Sequence, residues 1–253
     1  LEHRRQRQMC IRDRVKAFEE GDFNIHKIPM QPEIEVAIEK RLAKGDIDIL
    51  ALSIVQYASG LFIDIEFLKD LKERYPNLII VGDGTQFLGA HHFNFDTSPF
   101  DLVAASGYKW LLAGFGNGVL MISEAYIDVI EKKPLALFNL VFNGHFNILA
   151  IASLRFAIKA FEKHDFKYLM KKKDSLTQNA KQLLNDIGLI DSWVLQRGQH
   201  SSIFILKGEK GVHKKLIKNN IKCVPRGKGI RISFHYYNTD KDLNRLLEVL
   251  KKD

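Results

Sequence analysis

One lysine in the first half of the chain has surroundings that could make it chemically reactive. Lys109 lies in the most apolar stretch of the sequence, between alanines at residues 104–105 and leucines at residues 111–112. A lysine in such surroundings either extends its ammonium group to solvent or is held in a cleft with a lowered pKa, as a lysine that forms a Schiff base requires. The glycine-rich residues 114–118 that follow predict a loop that a ligand can approach closely.

A second group of polar residues follows a predicted strand over residues 78–81. Asp83, Thr85 and Gln86 come directly after it, and ligands of open α/β sheets bind outside the carboxyl ends of the strands. We therefore expect these residues to face a cleft, although Asp83 could instead cap a helix or a turn. The glycines around Asp83 do not complete a dinucleotide-binding fingerprint, because Phe87 stands where the third glycine would be.

Two separate motifs resemble those of the class V aminotransferases. This family of fold-type I pyridoxal-phosphate enzymes also includes the cysteine desulfurases, the kynureninases and isopenicillin N epimerase. The resemblance covers about residues 33–252. Its first motif comprises Asp83-Gly-Thr-Gln86, Asp101, Ser106-Gly-Tyr-Lys109-Trp-Leu and the glycine-rich run, and its second comprises Arg226-Gly-Lys-Gly-Ile-Arg231-Ile-Ser followed by Tyr237-Asn-Thr.

The resemblance implies that the chain binds pyridoxal 5'-phosphate. By this resemblance, the Asp83 carboxylate holds a proton on the ring nitrogen of the cofactor, and Gln86 bonds its phenolic oxygen. Lys109 corresponds to the lysine that forms the Schiff base and moves a proton at the alpha carbon of the substrate. Ser106 and Tyr108 correspond to phosphate ligands, although Tyr108 stands where the desulfurases usually have histidine.

The resemblance also implies a substrate carboxylate and a second subunit. Arg226 and Arg231 resemble the arginines that bind the carboxylate of the substrate, for which a guanidinium group offers two parallel donors. Without the resemblance they would read as surface arginines beside a strand. His145 falls where the family has a residue that reaches the phosphate of the neighbouring subunit, which implies a homodimer, and its alternative role is to begin the following helix.

The function that the resemblance implies is transfer of an amino group from an amino acid or amine through Lys109. A lyase or desulfurase reaction is the alternative within the family. Cys223 does not match the desulfurase nucleophile, because it lies too close before Arg231. A third alternative is a non-catalytic α/β module that has lost cofactor binding.

Strands and helices that alternate in the first half of the chain would position these residues. The predicted strands cover residues 47–54, 78–81, 102–105 and 119–122, and the predicted helices cover residues 34–42 and 61–75. The first strand is a near-continuous apolar run, typical of a strand buried on both faces. The alternation predicts an α/β fold with a mostly parallel sheet flanked by helices, and the resemblance identifies this sheet as part of the large domain of fold type I.

The second half predicts a smaller α+β domain at the carboxyl terminus. Its helices are predicted over residues 146–163, 165–187, 211–219 and 239–250, and its strands over residues 193–195, 202–206, 222–224 and 230–234. The predicted organisation is a non-native, arginine-rich leader (1–14), a partial cofactor-binding domain (15–164) and a small domain (165–253). Against the family pattern, we expect the chain to be the carboxyl-terminal portion of such an enzyme.

The composition excludes several other classes of protein. The 253 residues include 38 basic and 30 acidic side chains, a net charge of +8 of which +3 lies in the leader. The leader could be a nucleic-acid-binding arm, but the remaining +5 predicts no nucleic-acid partner. No apolar run approaches the roughly 20 residues of a membrane span. Two cysteines are too few for a disulfide framework or a zinc cage, which favours the cytoplasm, and we expect no metal at His91-His92.

Overall fold

A computed structural model describes residues 24–129, 147–208 and 210–251 of the chain. The chain divides between Lys44 and Gly45 into two compact units. In the first unit, helix α1 (Ile34–Leu42) buries one apolar residue per turn, namely Ile34, Ile38 and Leu42. This is the helix and the buried face that the apolar spacing predicts.

The second unit contains a four-stranded sheet with the order β1-β2-β3-β4. Its strands are β1 (Ile49–Ser53), β2 (Ile79–Asp83), β3 (Leu102–Ser106) and β4 (Gly118–Ile122). The first three run parallel, and β4 runs antiparallel to β3. Helix α2 (Ile65–Arg74) connects β1 to β2, and α3 (Glu124–Val129) follows β4. The predicted α/β fold with a mostly parallel sheet is confirmed.

Asp101, which belongs to the first motif, holds the amino-terminal ends of these strands together. The carboxylate is buried, and its Oδ2 accepts a hydrogen bond from the backbone N–H of Ile80 at 2.7 Å. Lys72 of α2 donates to both carboxylate oxygens, at 2.8 and 3.0 Å, and to the Leu78 carbonyl at 2.6 Å. The motif thus contains one residue that links a helix to two strands at the edge opposite the carboxyl ends.

The remaining elements alternate long helices with short strands. They are α4 (Ile148–Lys163), α5 (Phe166–Asp186), α6 (Ser192–Gln196), β5 (Ile203–Lys207), α7 (Lys210–Lys218), β6 (Val224–Arg226), β7 (Gly229–Ser233) and α8 (Asp240–Lys251). The three strands form an antiparallel sheet with the order β5-β7-β6. A core of fully buried residues packs α5, α7 and α8 against it, with Leu184, Phe204, Leu216 and Leu243 at its centre. None of the helices in the described ranges is long and apolar enough to cross a membrane.

Two predicted strands differ from the structure. The apolar run at residues 193–195 forms part of α6, where the N–H of Val194 bonds the Asp191 carbonyl and Val194 enters the small core. A three-residue apolar run carries no usable periodicity, so the strand prediction had no basis beyond residue type. The strand predicted over residues 222–224 begins only at Val224.

The first strand is also less buried than its apolar sequence predicts. Among the described residues, β1 pairs only with β2, so it lies at the edge of the sheet. Its residues alternate between exposed and half-buried, and Ile49 is 40% exposed. Burial on both faces of a strand requires a packed layer over each face of the sheet, and the prediction is wrong for β1 in this structure.

Candidate active site

The carboxyl ends of the three parallel strands lie at one edge of the large sheet. The register pairs Ser53 with Asp83 and Asp83 with Ala104, so β1 and β2 end level with each other and β3 continues two residues farther, to Ser106. Since Ser106 is the last residue of β3, the segment that carries Lys109 begins at the same edge as Asp83. The structure therefore brings together the two groups of polar residues that follow these strands.

A short hydrogen-bonded path links the ends of β2 and β3. Asp83 is half-buried, and its Oδ1 accepts from the backbone N–H of Thr85 at 3.0 Å. Thr85 Oγ1 in turn accepts from the N–H of Ser106 at 3.4 Å. Asp83 thus has the turn-capping role that the sequence left open, and this role uses one of its two carboxylate oxygens. A carboxylate in this position can still hold a proton on a basic nitrogen.

The side chains of Gln86 and Trp110 are fixed by one buried hydrogen bond. Both residues are 5% exposed, and Trp110 Nε1–H donates to Gln86 Oε1 at 3.0 Å. An indole N–H can only donate, so it determines which end of the amide faces Trp110. The NH₂ end of Gln86 is therefore the end left to face a ligand, and it can only donate a hydrogen bond.

Lys109 is half-buried and lies close to an aromatic pair. Its Nζ is 5.7 Å from the centroid of the Tyr108 ring, within the range of a cation–π contact. The Tyr108 ring stacks on Phe115 of the glycine-rich loop at 5.2 Å. The side chain of Lys109 is therefore partly covered by this aromatic pair and partly accessible to solvent.

The glycine-rich loop after Lys109 is held against α4 by Asn117. Its Nδ2 donates to the Gly114 carbonyl at 2.8 Å and to the Ala150 carbonyl of α4 at 2.9 Å. Gly107 has to be glycine here, because a Cβ at this position would overlap the Asn117 side chain. The small residues of the motif thus allow the loop to close on itself beside Lys109.

Of the two predicted carboxylate-binding arginines, the structure brings one to this edge. Arg231 lies on β7, and its Nη1 donates to the carbonyl of Tyr57 at 2.8 Å. Tyr57 follows β1, whose carboxyl end belongs to the same edge as Asp83. Arg226 is exposed on β6, and none of its hydrogen bonds within the described ranges reaches the edge.

The other predicted residues lie away from this edge. His145 falls outside the described residues. Cys223 is half-buried against the small core, and burial raises the pKa of its thiol. His91 packs in an aromatic cluster, 4.7 Å from the ring of Phe62 and 5.4 Å from that of Phe87. In the part of the chain that the structure describes, no group of three His, Cys, Asp or Glu side chains is placed to hold a metal ion.

Two residues beside the candidate site have roles that the sequence does not reveal. Trp110 orients Gln86, and its ring stacks on His235 with centroids 4.9 Å apart and planes 12° apart. Trp110 stands inside the first motif and His235 between the two parts of the second, and this position is the only sequence signal that could have marked them. Neither spacing nor periodicity can show that side chains so far apart in sequence lie in contact.

A model of the family described as aminotransferase class V matches residues 14–246. The chain belongs to the class V aminotransferases. This confirms the family to which the two motifs pointed, and the match begins earlier than residue 33. No curated protein matches the chain.

Solved structures that resemble this class V chain include two desulfurases and one aminotransferase. A cysteine desulfurase from Thermococcus onnurineus NA1 has a TM-score of 0.73 at 19% identity, and covers 89% of this chain. The cysteine desulfurase CsdA from Escherichia coli has a TM-score of 0.70 at 19% identity and covers 88% of this chain. An alanine–glyoxylate aminotransferase from Nostoc sp. has a TM-score of 0.67 at 16% identity and covers 89% of this chain. The chain spans 65%, 63% and 66% of the lengths of these proteins. At such identities the likeness establishes the fold.

Proposed function

We propose that this class V chain is an aminotransferase that uses pyridoxal phosphate and acts on an amino acid or an amine. Pyridoxal phosphate supplies an aldehyde that condenses with amines and a ring that accepts electrons. The supporting observation is that one sheet edge carries four complementary groups, namely a carboxylate, an oriented amide, a hydroxyl and a half-buried ammonium (Asp83, Gln86, Ser106 and Lys109). These groups fit the ring nitrogen, the phenolic oxygen, the phosphate and the aldehyde.

Each of these groups would have a separate task. The Asp83 carboxylate would hold a proton on the ring nitrogen, and the NH₂ end of Gln86 would donate to the phenolic oxygen. The hydroxyl groups of Ser106 and Tyr108 would donate to the phosphate. The ε-amine of Lys109 would take the proton from the alpha carbon of the substrate and return a proton to the cofactor side, as a general base followed by a general acid.

The substrate carboxylate is assigned to Arg231 rather than Arg226. Arg231 already donates to a carbonyl at the carboxyl edge. A carboxylate is a stronger acceptor than the Tyr57 carbonyl, because a hydrogen bond between two charged groups exceeds one to a neutral oxygen. Arg231 can therefore exchange this backbone contact for the substrate, whereas Arg226 remains exposed on β6.

The state of Cys223 favours amino-group transfer over desulfuration. A cysteine that attacks sulfur acts as a thiolate, and reactive cysteines have lowered pKa values. Burial raises the pKa of Cys223 instead, and the residue packs beside the small core. The desulfurase alternative predicts release of alanine from cysteine with transfer of the sulfur to a cysteine thiol as a persulfide, and the aminotransferase proposal predicts a keto acid from an amino-acid donor.

A second copy of the chain is the proposed partner of α4. This helix exposes Ile148, Leu149 and Phe156 to 76%, 83% and 76%, and contiguous exposed apolar residues mark interaction surfaces. The same helix binds the glycine-rich loop next to Lys109 through Asn117, so a dimer at this face would lie beside the candidate site. Sedimentation equilibrium at micromolar concentration tests this proposal: the wild type should have the mass of a dimer and the Leu149→Glu variant that of a monomer. A monomeric wild type would overturn it.

The proposal is tested by adding pyridoxal phosphate and recording the visible absorption spectrum. We expect a band above 400 nm that Lys109→Ala abolishes, because a protonated Schiff base at this edge needs the amine of Lys109. Borohydride reduction followed by peptide mass spectrometry should place the adduct on Lys109. Lys172→Ala, which removes an exposed lysine of α5, is the matched control and should leave the band intact. Absence of both band and adduct in the wild type would refute the proposal.

A further inference from the structure

The turn between β7 and α8 reaches the residue that follows Lys109. His235 stands between β7 and α8 and is 8% exposed. One face of its ring stacks on Trp110, with centroids 4.9 Å apart, and the other face stacks on Tyr237 at 4.5 Å and 15°. The imidazole is therefore held between an indole of the large sheet's carboxyl edge and a phenol of its own turn.

Hydrogen bonds inside the turn fix the direction of the His235 ring. Its Nδ1 accepts from the N–H of Tyr236 at 3.0 Å, and its own backbone N–H donates to Asn238 Oδ1 at 2.8 Å. Because Nδ1 accepts, the neutral ring carries its proton on Nε2. The ring cannot rotate away from Trp110 without breaking the first of these bonds, so it acts as a fixed support.

Trp110 transmits this support to two groups of the candidate site. Its indole N–H donates to Gln86 Oε1 at 3.0 Å, and its backbone continues directly from Lys109. A displacement of the indole would release the Gln86 amide and move the peptide unit that carries the lysine. The positions of the Gln86 amide and of Lys109 thus depend on His235, whose ring packs against the indole.

The segment that carries His235 also carries the arginine assigned to the substrate. Arg231 lies on β7, four residues before His235, and donates to the Tyr57 carbonyl after β1. One short segment that includes β7 therefore contacts the carboxyl edge at two places, once through Arg231 and once through His235.

We propose that His235 is a positioning residue that holds Trp110, and through it Gln86 and Lys109, in register with the substrate-binding Arg231. The assignment rests on the proposed function for the identity of the ligand, but the contact itself exists without one. Its physical basis is pre-organisation, since a site keeps its geometry when its first groups are held by packed and hydrogen-bonded neighbours.

The test compares two buried histidines that each contact a tryptophan. His200 packs against Trp193 at 5.6 Å, is 7% exposed, and lies outside the candidate site, so His200→Ala is the matched control for His235→Ala. In the Trp193→Phe background, the emission of the unliganded protein reports Trp110 alone. We expect His235→Ala to shift this emission to the red and to increase its quenching by acrylamide, and His200→Ala to leave both unchanged.

The second readout is the affinity for pyridoxal phosphate, followed by the visible band. We expect His235→Ala to raise the Kd about tenfold, the lower end of what is typical when a residue that supports a site's direct ligands is removed. His200→Ala should change the Kd less than about twofold, a difference too small to indicate a lost contact. His235→Phe keeps a flat ring against the indole and should restore most of the affinity.

The outcomes separate this role from the proposed function. A visible band in the wild type, with equal Kd values for His235→Ala and His200→Ala, would overturn the positioning role and leave the function standing. If the wild type shows no band, the proposed function fails. The fluorescence comparison then decides the positioning role: a red shift confined to His235→Ala supports the hold on Trp110, and identical spectra reject it. Loss of affinity that His235→Phe does not restore would also reject the stacking contact as its cause.

Discussion

At the scale of single residues, an indole at the candidate site determines the orientation of an amide. Gln86 is buried, and a primary amide can present either its oxygen or its NH₂ group to a ligand. The indole N–H of Trp110 can only donate a hydrogen bond, so the amide oxygen of Gln86, and not its NH₂ group, faces Trp110. The polarity that Gln86 would offer to the proposed cofactor is therefore fixed by its neighbour Trp110.

Removing the indole N–H of Trp110 should weaken the binding of the proposed cofactor. Trp110→Phe keeps an aromatic ring against His235 but loses the N–H, so the Gln86 amide can turn over. We expect the Kd for pyridoxal phosphate to rise about fivefold, which corresponds to roughly 1 kcal/mol for one hydrogen bond. Titration by visible absorption measures this, with Trp193→Phe as the control. Equal Kd values for the two variants would show that the indole N–H does not orient Gln86.

The sequence predicts the part of the site that depends on strand ends. Asp83, Ser106 and Lys109 follow strands that run parallel, and parallel strands bring their carboxyl ends to one edge. The contacts of Arg231 and His235 could not be predicted in this way. Arg231 bonds a carbonyl 174 residues away, and such pairs depend on how two sheets pack, on which local periodicity carries no information.

At the scale of elements, helix α5 buries the last of three successive lysines. Lys171 and Lys172 are exposed, but Lys173 is 1% exposed. Successive residues of a helix are about 100° apart, so three in a row span about 200° of the helix surface. In a helix with one face packed on the core, all three cannot point to solvent. Burial lowers the pKa of Lys173, and the Asp174 carboxylate, at 2.7 Å from Nζ, opposes this shift. The charge remains costly, because Asp174 is itself 58% exposed and only partly compensates it.

Replacing this charge with an isosteric apolar group should stabilise the chain. We expect Lys173→Met to raise the free energy of unfolding by about 1 kcal/mol at pH 7.5, the lower end of what is gained when a buried ion pair is replaced by an apolar side chain. Urea denaturation followed by circular dichroism measures the change. Lys172→Met, one position away and exposed, should leave the midpoint unchanged. A destabilised Lys173→Met would mean that the ammonium makes a contact worth more than its burial costs.

At the scale of the whole molecule, three histidines from different parts of the fold are buried as neutral rings. Burial is the largest cause in each case: it lowers the pKa of His91 well below its usual value, and those of His200 and His235 to about 4. Neighbouring cations add to this effect, with Lys173 acting on His91 and His235, and Lys181 and Arg197 acting on His200. The chain is basic overall, with a net charge of +8, so acid adds positive charge to a molecule that already carries an excess.

These histidines make stability depend on pH in one direction. The unfolded chain binds protons on histidine near pH 6.5, but the folded chain resists until about pH 4. The free energy of unfolding should therefore be greatest above pH 6.5 and fall as the pH falls toward 4, by roughly 3 kcal/mol for each histidine held near pKa 4. Urea denaturation at pH 7.5 and 4.5 measures the loss.

His200 offers the sharpest test of this dependence because the reason for its low pKa is visible. Its Nδ1 donates to the Ser201 carbonyl at 2.7 Å, and its buried Nε2 has no hydrogen-bond partner in the described ranges. Protonation would place a positive charge in the interior, and the favourable backbone contacts to Ser201 and Ser59 offset only part of that cost. His200→Phe should therefore reduce the loss of free energy of unfolding between pH 7.5 and 4.5. His164→Phe, at an exposed position, should not reduce this loss. If both variants lose the same stability as the wild type, acid sensitivity has its origin elsewhere than in the buried rings.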